Sequence, residues 1–122
     1  INAPGGGGPL LHKQLGILRD FINGFDFVKM KPDNSIIKGG VPDNATARAL
    51  VEKGRAYAIY INGGTKADLI VSLPKGRYKA EWLNTKIGTI DKKQIFEHSG
   101  GRLLLASPTY QDDIALRISR SQ

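Results

Sequence analysis

The residues best suited to acid–base or metal chemistry are few and far apart. The 122-residue chain has two histidines, His12 and His98, and no cysteine. No spacing joins the histidines to each other or to an acidic residue in a metal-binding or catalytic motif. We therefore interpret both as surface residues, and we predict neither a disulfide framework nor a thiolate zinc site.

The carboxylates and the glycine run give no stronger signal. Asp112 and Asp113 could offer oxygens to calcium, but the D-x-[DN]-x-[DN]-G pattern is absent and a polar turn explains them equally well. Glycoside hydrolysis needs two carboxyl groups in one cleft, and strand alternation points Glu81 toward solvent. The glycines at 5–8 lack the ending of a phosphate loop. We predict no catalytic constellation, no cofactor and no metal in this chain.

Aromatic side chains are the remaining candidates for ligand contact. A lone tryptophan, Trp82, lies just before a predicted turn and could serve as a sugar platform, a nucleic-acid platform or a core anchor. Strand alternation places Trp82 on an inward-facing position, as it does Tyr57 and Tyr78, and this favours the core anchor. Tyr60 and Tyr110 point outward or lie in a loop, so they are the candidate ligand-binding residues.

The formal charge of +7 raises the possibility of an anionic partner. The Lys and Arg residues are spread over almost every segment and mostly alternate with apolar residues. This pattern indicates solvated outer faces rather than one binding stripe, and we predict no nucleic-acid partner. Binding of an anionic polymer stays open as an alternative, which added salt would weaken.

One amphipathic helix is predicted over residues 10 to 22, after a linker at 1–9. Apolar residues recur there at helical spacing, and "Asn23-Gly24" ends the helix. Ile17 and Phe21 widen the apolar stripe beyond what one face of a small domain covers. We therefore predict that these two residues dock the helix on another domain. The stripe itself consists of Leu11, Leu15, Leu18 and Ile22.

The rest of the chain has the two-residue period of β-strands, punctuated by turn residues. The strand-like segments recur about every 8 to 12 residues. This spacing predicts a mainly β protein, an antiparallel β-sandwich of about 7 to 8 strands in one domain at 10–122. Alternation assigns to the core Tyr57, Ile59, Ile61, Leu69, Val71, Leu73, Tyr78, Ala80, Trp82, Ile114, Leu116 and Ile118. The predicted strands are "FDFVKM", "ATARALVEK", "RAYAIYIN", "ADLIVSL", "GRYKAEWLN", "TIDKKQIFEH", "RLLLASP" and "DIALRIS".

The opening "INAPGGGGPL" has linker character and lacks the basic and apolar regions of a signal peptide. No apolar run approaches the roughly 18 residues of a membrane span, so no span is predicted. Because the chain starts without Met on this stretch, we expect a domain of a longer protein that continues N-terminally.

Four motifs together resemble a known family. The chain carries "LRDF" at 18–21, "PD" at 32–33, "YAIYINGG" at 57–64 and "GRYKAEWLNTKIG" at 76–88. They resemble the family described as the collagen-binding domain of a collagenase, which has LRDF, PD, YA-x-Y-x-x-GG and G-x-Y-x-A-x-W-x-N/D-P-R-T-G. The chain departs from the last motif at Thr85, Lys86 and Ile87. The resemblance covers nearly all residues after 10.

The resemblance implies a C-terminal β-sandwich that accompanies an N-terminal (β/α)8 glycoside hydrolase-like barrel. The catalytic carboxylates would then lie on that barrel, the partner domain of the parent chain. Proteins of this kind are secreted or periplasmic bacterial enzymes that degrade polysaccharides, so polysaccharide is a further expected partner. The implied function is a noncatalytic accessory one. An autonomous module that binds an anionic polymer or collagen is the alternative.

Overall fold

The computed structural model describes residues 29–121, which include nine strands and a short 3₁₀ turn at Asn34–Ile36. The predicted linker at 1–9 and the predicted helix at 10–22 lie outside the described residues. Within residues 29–121, no helix is long and apolar enough to cross a membrane. The strands are β1 Lys31–Pro32, β2 Ile37–Gly39, β3 Thr46–Glu52, β4 Ala56–Asn62, β5 Asp68–Leu73, β6 Gly76–Asn84, β7 Thr89–His98, β8 Gly101–Ala106 and β9 Asp113–Arg120.

The strands form two antiparallel sheets. The large sheet has the order β1-β3-β4-β9-β6-β7, and the small sheet has the order β2-β5-β8. The last strand, β9, lies between β4 and β6, so residues far apart in sequence become cross-strand neighbours at the centre of the large sheet. This placement builds the site described below.

The core lies between the two sheets and has the composition that alternation predicted. All twelve predicted inward residues are buried, and Tyr57, Tyr78 and Trp82 are fully buried. Leu105 from β8 and Ala49 and Val51 from β3 complete the same cluster. The mainly β antiparallel prediction is therefore confirmed for the described residues, as is the core position of Trp82.

The start of the fold differs from the prediction. A strand was expected at 25–30, but its two described residues, Lys29 and Met30, lie in no strand, and pairing starts at Lys31. Pro32 can occupy β1 because that strand lies at the sheet edge, where a missing N–H costs least. The chain then turns at Asp33, whose side chain accepts a hydrogen bond from the Ser35 N–H.

The predicted turn after Trp82 joins β6 to β7. Asn84 stabilises it twice: its carbonyl accepts from the Gly88 N–H at 2.8 Å, and its side chain accepts from the Lys86 N–H at 2.9 Å. Gly88 has a positive φ of 79°, a conformation that glycine adopts at little cost. The turn places Thr85 and Lys86 beside the start of β9.

Candidate functional site on the outer face of the large sheet

Strand β9 places Asp113, Ala115 and Arg117 on the face of the large sheet that points away from the core. Tyr60 on β4 and Leu83 on β6 are the cross-strand partners of Ala115. Residues of β4, β6 and β9 therefore meet on this outer face. Several of them are polar and buried, which is unusual unless hydrogen bonds or charges compensate them.

Asp113 is the centre of one polar cluster. It is only 4% exposed, and its two carboxylate oxygens accept hydrogen bonds from the hydroxyl groups of Tyr60 and Thr85. The Lys86 amine lies 3.9 Å from the same carboxylate and 3.2 Å from that of the exposed Asp112. These contacts compensate a buried negative charge that would otherwise be costly.

Burial on this face raises the pKa of the Tyr60 hydroxyl well above its usual range. The largest cause is desolvation, and the hydrogen bond to Asp113 and its negative charge act in the same direction. Tyr60 therefore stays a neutral donor to Asp113 at any physiological pH. Its hydroxyl is committed within the protein, while its ring remains half-buried on the outer face.

A second polar pair lies on the same face. Glu81 accepts two hydrogen bonds at one carboxylate oxygen, from the Arg117 Nε at 3.0 Å and Nη2 at 2.6 Å, and Lys79 lies 3.9 Å away. The expectation that Glu81 faces solvent is wrong: it is 6% exposed. The reason is its cross-strand neighbour, since β9 places Arg117 directly opposite Glu81.

A mostly apolar groove of about 500 Å³ runs along this face beside β1, β3 and β4. Leu50, Ala58 and Tyr60 contribute to its lining, as do the charged residues Asp33 and Arg48. A groove of this size is in the range of small-molecule pockets and also accommodates a packed helix or loop. Pro32 of β1 is among the residues that line it.

The two predicted ligand-binding tyrosines lie in different surroundings. Tyr60 is on the outer face, as alternation predicted, and lines the groove. Tyr110 lies in the loop before β9 but is only 7% exposed, and its hydroxyl donates to the Gly63 carbonyl at 2.8 Å. Its ring packs with the core, so its surroundings do not favour sugar stacking. The predicted docking residues Ile17 and Phe21 lie outside the described residues.

The remaining candidate residues form no metal-binding cluster among residues 29–121. His98 is half-exposed and its ring Nε2 contacts the Gly101 carbonyl at 2.9 Å. Among residues 29–121, no three His, Cys, Asp or Glu side chains come close enough to hold a metal ion. Thr85 and Lys86, which sequence reasoning treated only as a departure from a family turn, are part of the Asp113 cluster. Their role depends on the order of strands, which no local pattern reveals.

Comparison with known proteins gives fold-level likenesses. No protein-family model matches the chain, and no curated protein matches it either. The resemblance to the collagen-binding family is thus not supported at the level of sequence. A solved structure described as a glycoside hydrolase superposes with a TM-score of 0.64 at 19% identity over 98% of this chain. A family 5 glycoside hydrolase from Bacteroides vulgatus gives a TM-score of 0.62 at 18% identity over 88% of this chain.

These likenesses cover only part of the larger proteins. The chain spans 30% of the first glycoside hydrolase chain and 24% of the second. At such identities the similarity establishes the fold alone. The chain therefore has a β-sandwich fold that also occurs as a minor part of these two solved glycoside hydrolase chains.

Proposed function

We propose that the chain is a noncatalytic C-terminal accessory domain of a bacterial glycoside hydrolase-like enzyme, secreted or periplasmic. It stabilises an N-terminal (β/α)8 catalytic domain or assists in holding polysaccharide. One observation carries the proposal: the same fold recurs as a 30% and a 24% portion of two glycoside hydrolase chains. A fold that occupies a minor share of an enzyme chain is well suited to an accessory role.

The buried carboxylates support a noncatalytic role. Glycosidases use two carboxyl groups that flank the bond and reach the sugar directly, at roughly 5 to 10 Å from each other. Glu81 is bound to Arg117, and Asp113 is bound to Tyr60 and Thr85. Both are nearly inaccessible, so neither is free to protonate a glycosidic oxygen or to attack a sugar.

The outer groove supports a contact with the part of the chain that precedes it. Six residues separate Ile22 from Lys29, a reach of about 20 Å when extended. A helix at 10–22 can therefore lay the Leu15 and Leu18 stripe along the groove beside β1. In this arrangement Ile17 and Phe21 face away from the sandwich and dock on the catalytic domain.

The proposal is tested in the parent enzyme and in the 122-residue chain. The chain alone should show no glycosidase turnover on a panel of chromogenic glycosides. Deleting it from the parent should lower the melting temperature of the catalytic domain or weaken retention on polysaccharide, while turnover of a small substrate persists. Turnover by the chain alone that is lost in Glu81→Gln, or a deletion with no effect on stability or retention, would overturn the proposal.

The docking role of the helix has its own test in the 122-residue chain. Ile17→Glu should keep the fold and shift any dimer toward monomer in sedimentation, because Ile17 faces outward. Leu18→Asp should destabilise the chain itself, because Leu18 faces the groove. Equal destabilisation by both substitutions would mean that the helix is wholly internal, and the docking role would be excluded.

The alternative is an autonomous module for an anionic polymer or collagen. The charge of +7 favours the anionic polymer. Binding of this kind should need no catalytic domain and should weaken steeply with salt, whereas stacking on neutral sugar hardly responds to salt. Collagen binding is tested directly by retention of the chain on immobilised collagen.

A further inference from the structure

Three arginines from distant parts of the sequence meet at one end of the sandwich. They come from the start of β4, the start of β6 and the end of β9, which are neighbours in the large sheet. The Arg120 N–H donates to the Arg55 carbonyl at 2.8 Å, and the Ser121 N–H donates to the Arg77 carbonyl at 2.7 Å. Adjacent strands are about 4.8 Å apart, so the backbones of the three arginines lie close together at this end of the sheet.

These residues line a polar cleft of about 550 Å³, which we call the arginine cleft. Its lining consists of Gly54, Arg55, Arg77, Arg120 and Ser121. All three arginine side chains are exposed. The cleft lies at the end of β9 opposite to Asp113, so it is distinct from the outer-face clusters.

Arg120 is held in one orientation. Its guanidinium lies 5.8 Å from the centre of the Tyr78 ring, and its Nη1 donates to the Gly54 carbonyl at 3.2 Å. A Cβ at position 76 would lie 2.7 Å from its Cζ, so the glycine there gives the guanidinium room to lie flat. A planar guanidinium held in this way keeps N–H groups available for bidentate contact with an anion.

Few ion pairs engage the arginines of the cleft. Within residues 29–121, the arginines of the cleft make one ion pair, a 3.8 Å contact between Arg55 and Glu52. Arg77 forms none there, although Glu97 is its cross-strand neighbour. Three like charges around one cleft repel one another, and an anion in the cleft would relieve that repulsion.

From this geometry we infer that the arginine cleft binds an anionic group of an acidic polysaccharide, a uronate carboxylate or a sulfate ester. The polysaccharide part of the inference rests on the proposed function. The anionic part rests on Arg55, Arg77 and Arg120 alone. Neutral polysaccharide is a poorer fit, since the cleft offers charge and the lining contains no aromatic side chain for stacking.

The test is affinity electrophoresis of the 122-residue chain in gels that contain polygalacturonate, dextran sulfate or neutral dextran. We expect retardation by a charged polymer and none by dextran. Retardation by polygalacturonate alone identifies a carboxylate, and retardation by dextran sulfate alone identifies a sulfate ester. With two or three counterions released, affinity should fall on the order of tenfold between about 50 and about 200 mM salt.

Matched variants separate the cleft from general charge. Arg77→Gln removes a cleft charge whose side chain makes no hydrogen bond or ion pair among the described residues, so it should leave the fold intact and weaken retardation several-fold. Lys93→Gln removes the same charge about 13 Å along the sheet, opposite Glu81, and should change little. Arg120→Gln should weaken retardation most, and its melting temperature reports any loss of folding.

The outcomes distinguish this inference from the proposed function. Equal losses in Arg77→Gln and Lys93→Gln, or no retardation by either charged polymer at low salt, would overturn the arginine cleft as a site. The accessory role is measured separately, by the stability and retention of the parent enzyme after deletion. A cleft that binds while that deletion has no effect would leave the site standing and remove the accessory role.

Discussion

The two faces of the large sheet are stabilised in different ways. The inner face is an unbroken set of apolar side chains, among them Tyr57, Trp82 and Leu116, packed against the small sheet. The outer face buries Glu81 and Asp113, each compensated by a partner from another strand. The inner face is stabilised mainly by apolar packing, whereas on the outer face the buried charges depend on hydrogen bonds and ion pairs with a few particular partners. Substitutions on the two faces should therefore differ in the interaction that they remove as well as in the stability that they cost.

The largest effect is expected on the inner face. Trp82→Ala should lower the free energy of unfolding by on the order of 3 to 5 kcal/mol, because a fully buried side chain leaves a large cavity. Trp82→Phe should cost less, because the indole N–H has no hydrogen-bond partner among the described residues. Denaturant unfolding gives both values. Wild-type fluorescence should be blue-shifted and resist iodide quenching, and an exposed emission spectrum would contradict the core position.

The next effect concerns the Glu81–Arg117 pair on the outer face. Arg117→Met should cost about 2 kcal/mol, because Glu81 is left buried with only Lys79 nearby. The figure is below the ~3–5 kcal/mol of a fully buried pair because Arg117 is partly exposed. Adding Glu81→Leu should recover much of the loss, as apolar replacements of buried pairs often do. A double variant as unstable as the sum of the two single variants would mean that the residues act independently.

This contrast explains how much of the fold could be predicted. Inner-face residues follow a two-residue period inside each strand, so the seven long strands, and the inward positions of β4, β5, β6 and β9, were readable from the sequence. Strands β1 and β2 were missed because two or three paired residues among turn formers carry no period. Pro32 in particular is typical of a turn, and only its place at a sheet edge permits pairing.

The candidate sites were less predictable for a physical reason. The position of β9 between β4 and β6 brings Asp113 to Tyr60, 53 residues away, and Arg117 to Glu81, 36 residues away. The same strand order gathers the arginine cleft from residues that looked scattered. Tyr110 looked available in a loop, but its hydroxyl reaches Gly63 across 47 residues. Contacts of this range depend on topology, which local patterns leave undetermined.

A smaller effect is expected at Thr85, inside the Asp113 cluster. Thr85→Val keeps the shape of the side chain but removes the hydroxyl that donates to the buried carboxylate. The free energy of unfolding should fall by about 1 to 2 kcal/mol, at the low end for a hydrogen bond to a charged group because Tyr60 and Lys86 still compensate Asp113. Thr85→Ser should retain most of the stability, because it keeps the donor. If valine were tolerated as well as serine, the hydroxyl would not be needed to compensate Asp113.

The smallest effect at neutral pH, and the most specific, is expected at Tyr60. Tyr60→Phe removes one donor to Asp113 while Thr85 and Lys86 remain, so the loss should be about 1 kcal/mol or less. Alkaline pH should reduce this difference between the two proteins. The pKa of Tyr60 is raised in the folded state above the value near 10 of the unfolded chain, chiefly by desolvation and then by Asp113.

The sign of the pH dependence follows from proton binding. Above about pH 10 the unfolded chain releases the Tyr60 proton while the folded protein keeps it, so stability falls as pH rises. For this one group the slope reaches at most about 1.4 kcal/mol per pH unit. Tyr60→Phe lacks this ionisable hydroxyl, so its stability should fall less steeply from about pH 10 upward. Stability still falls in both proteins, because the pKa values of Tyr57, Tyr78 and Tyr110 are also raised. Urea unfolding at several alkaline pH values measures the two slopes. Parallel slopes would show that the pKa of Tyr60 is not raised in the folded state, and the compensation of Asp113 would then rest on Thr85 and Lys86.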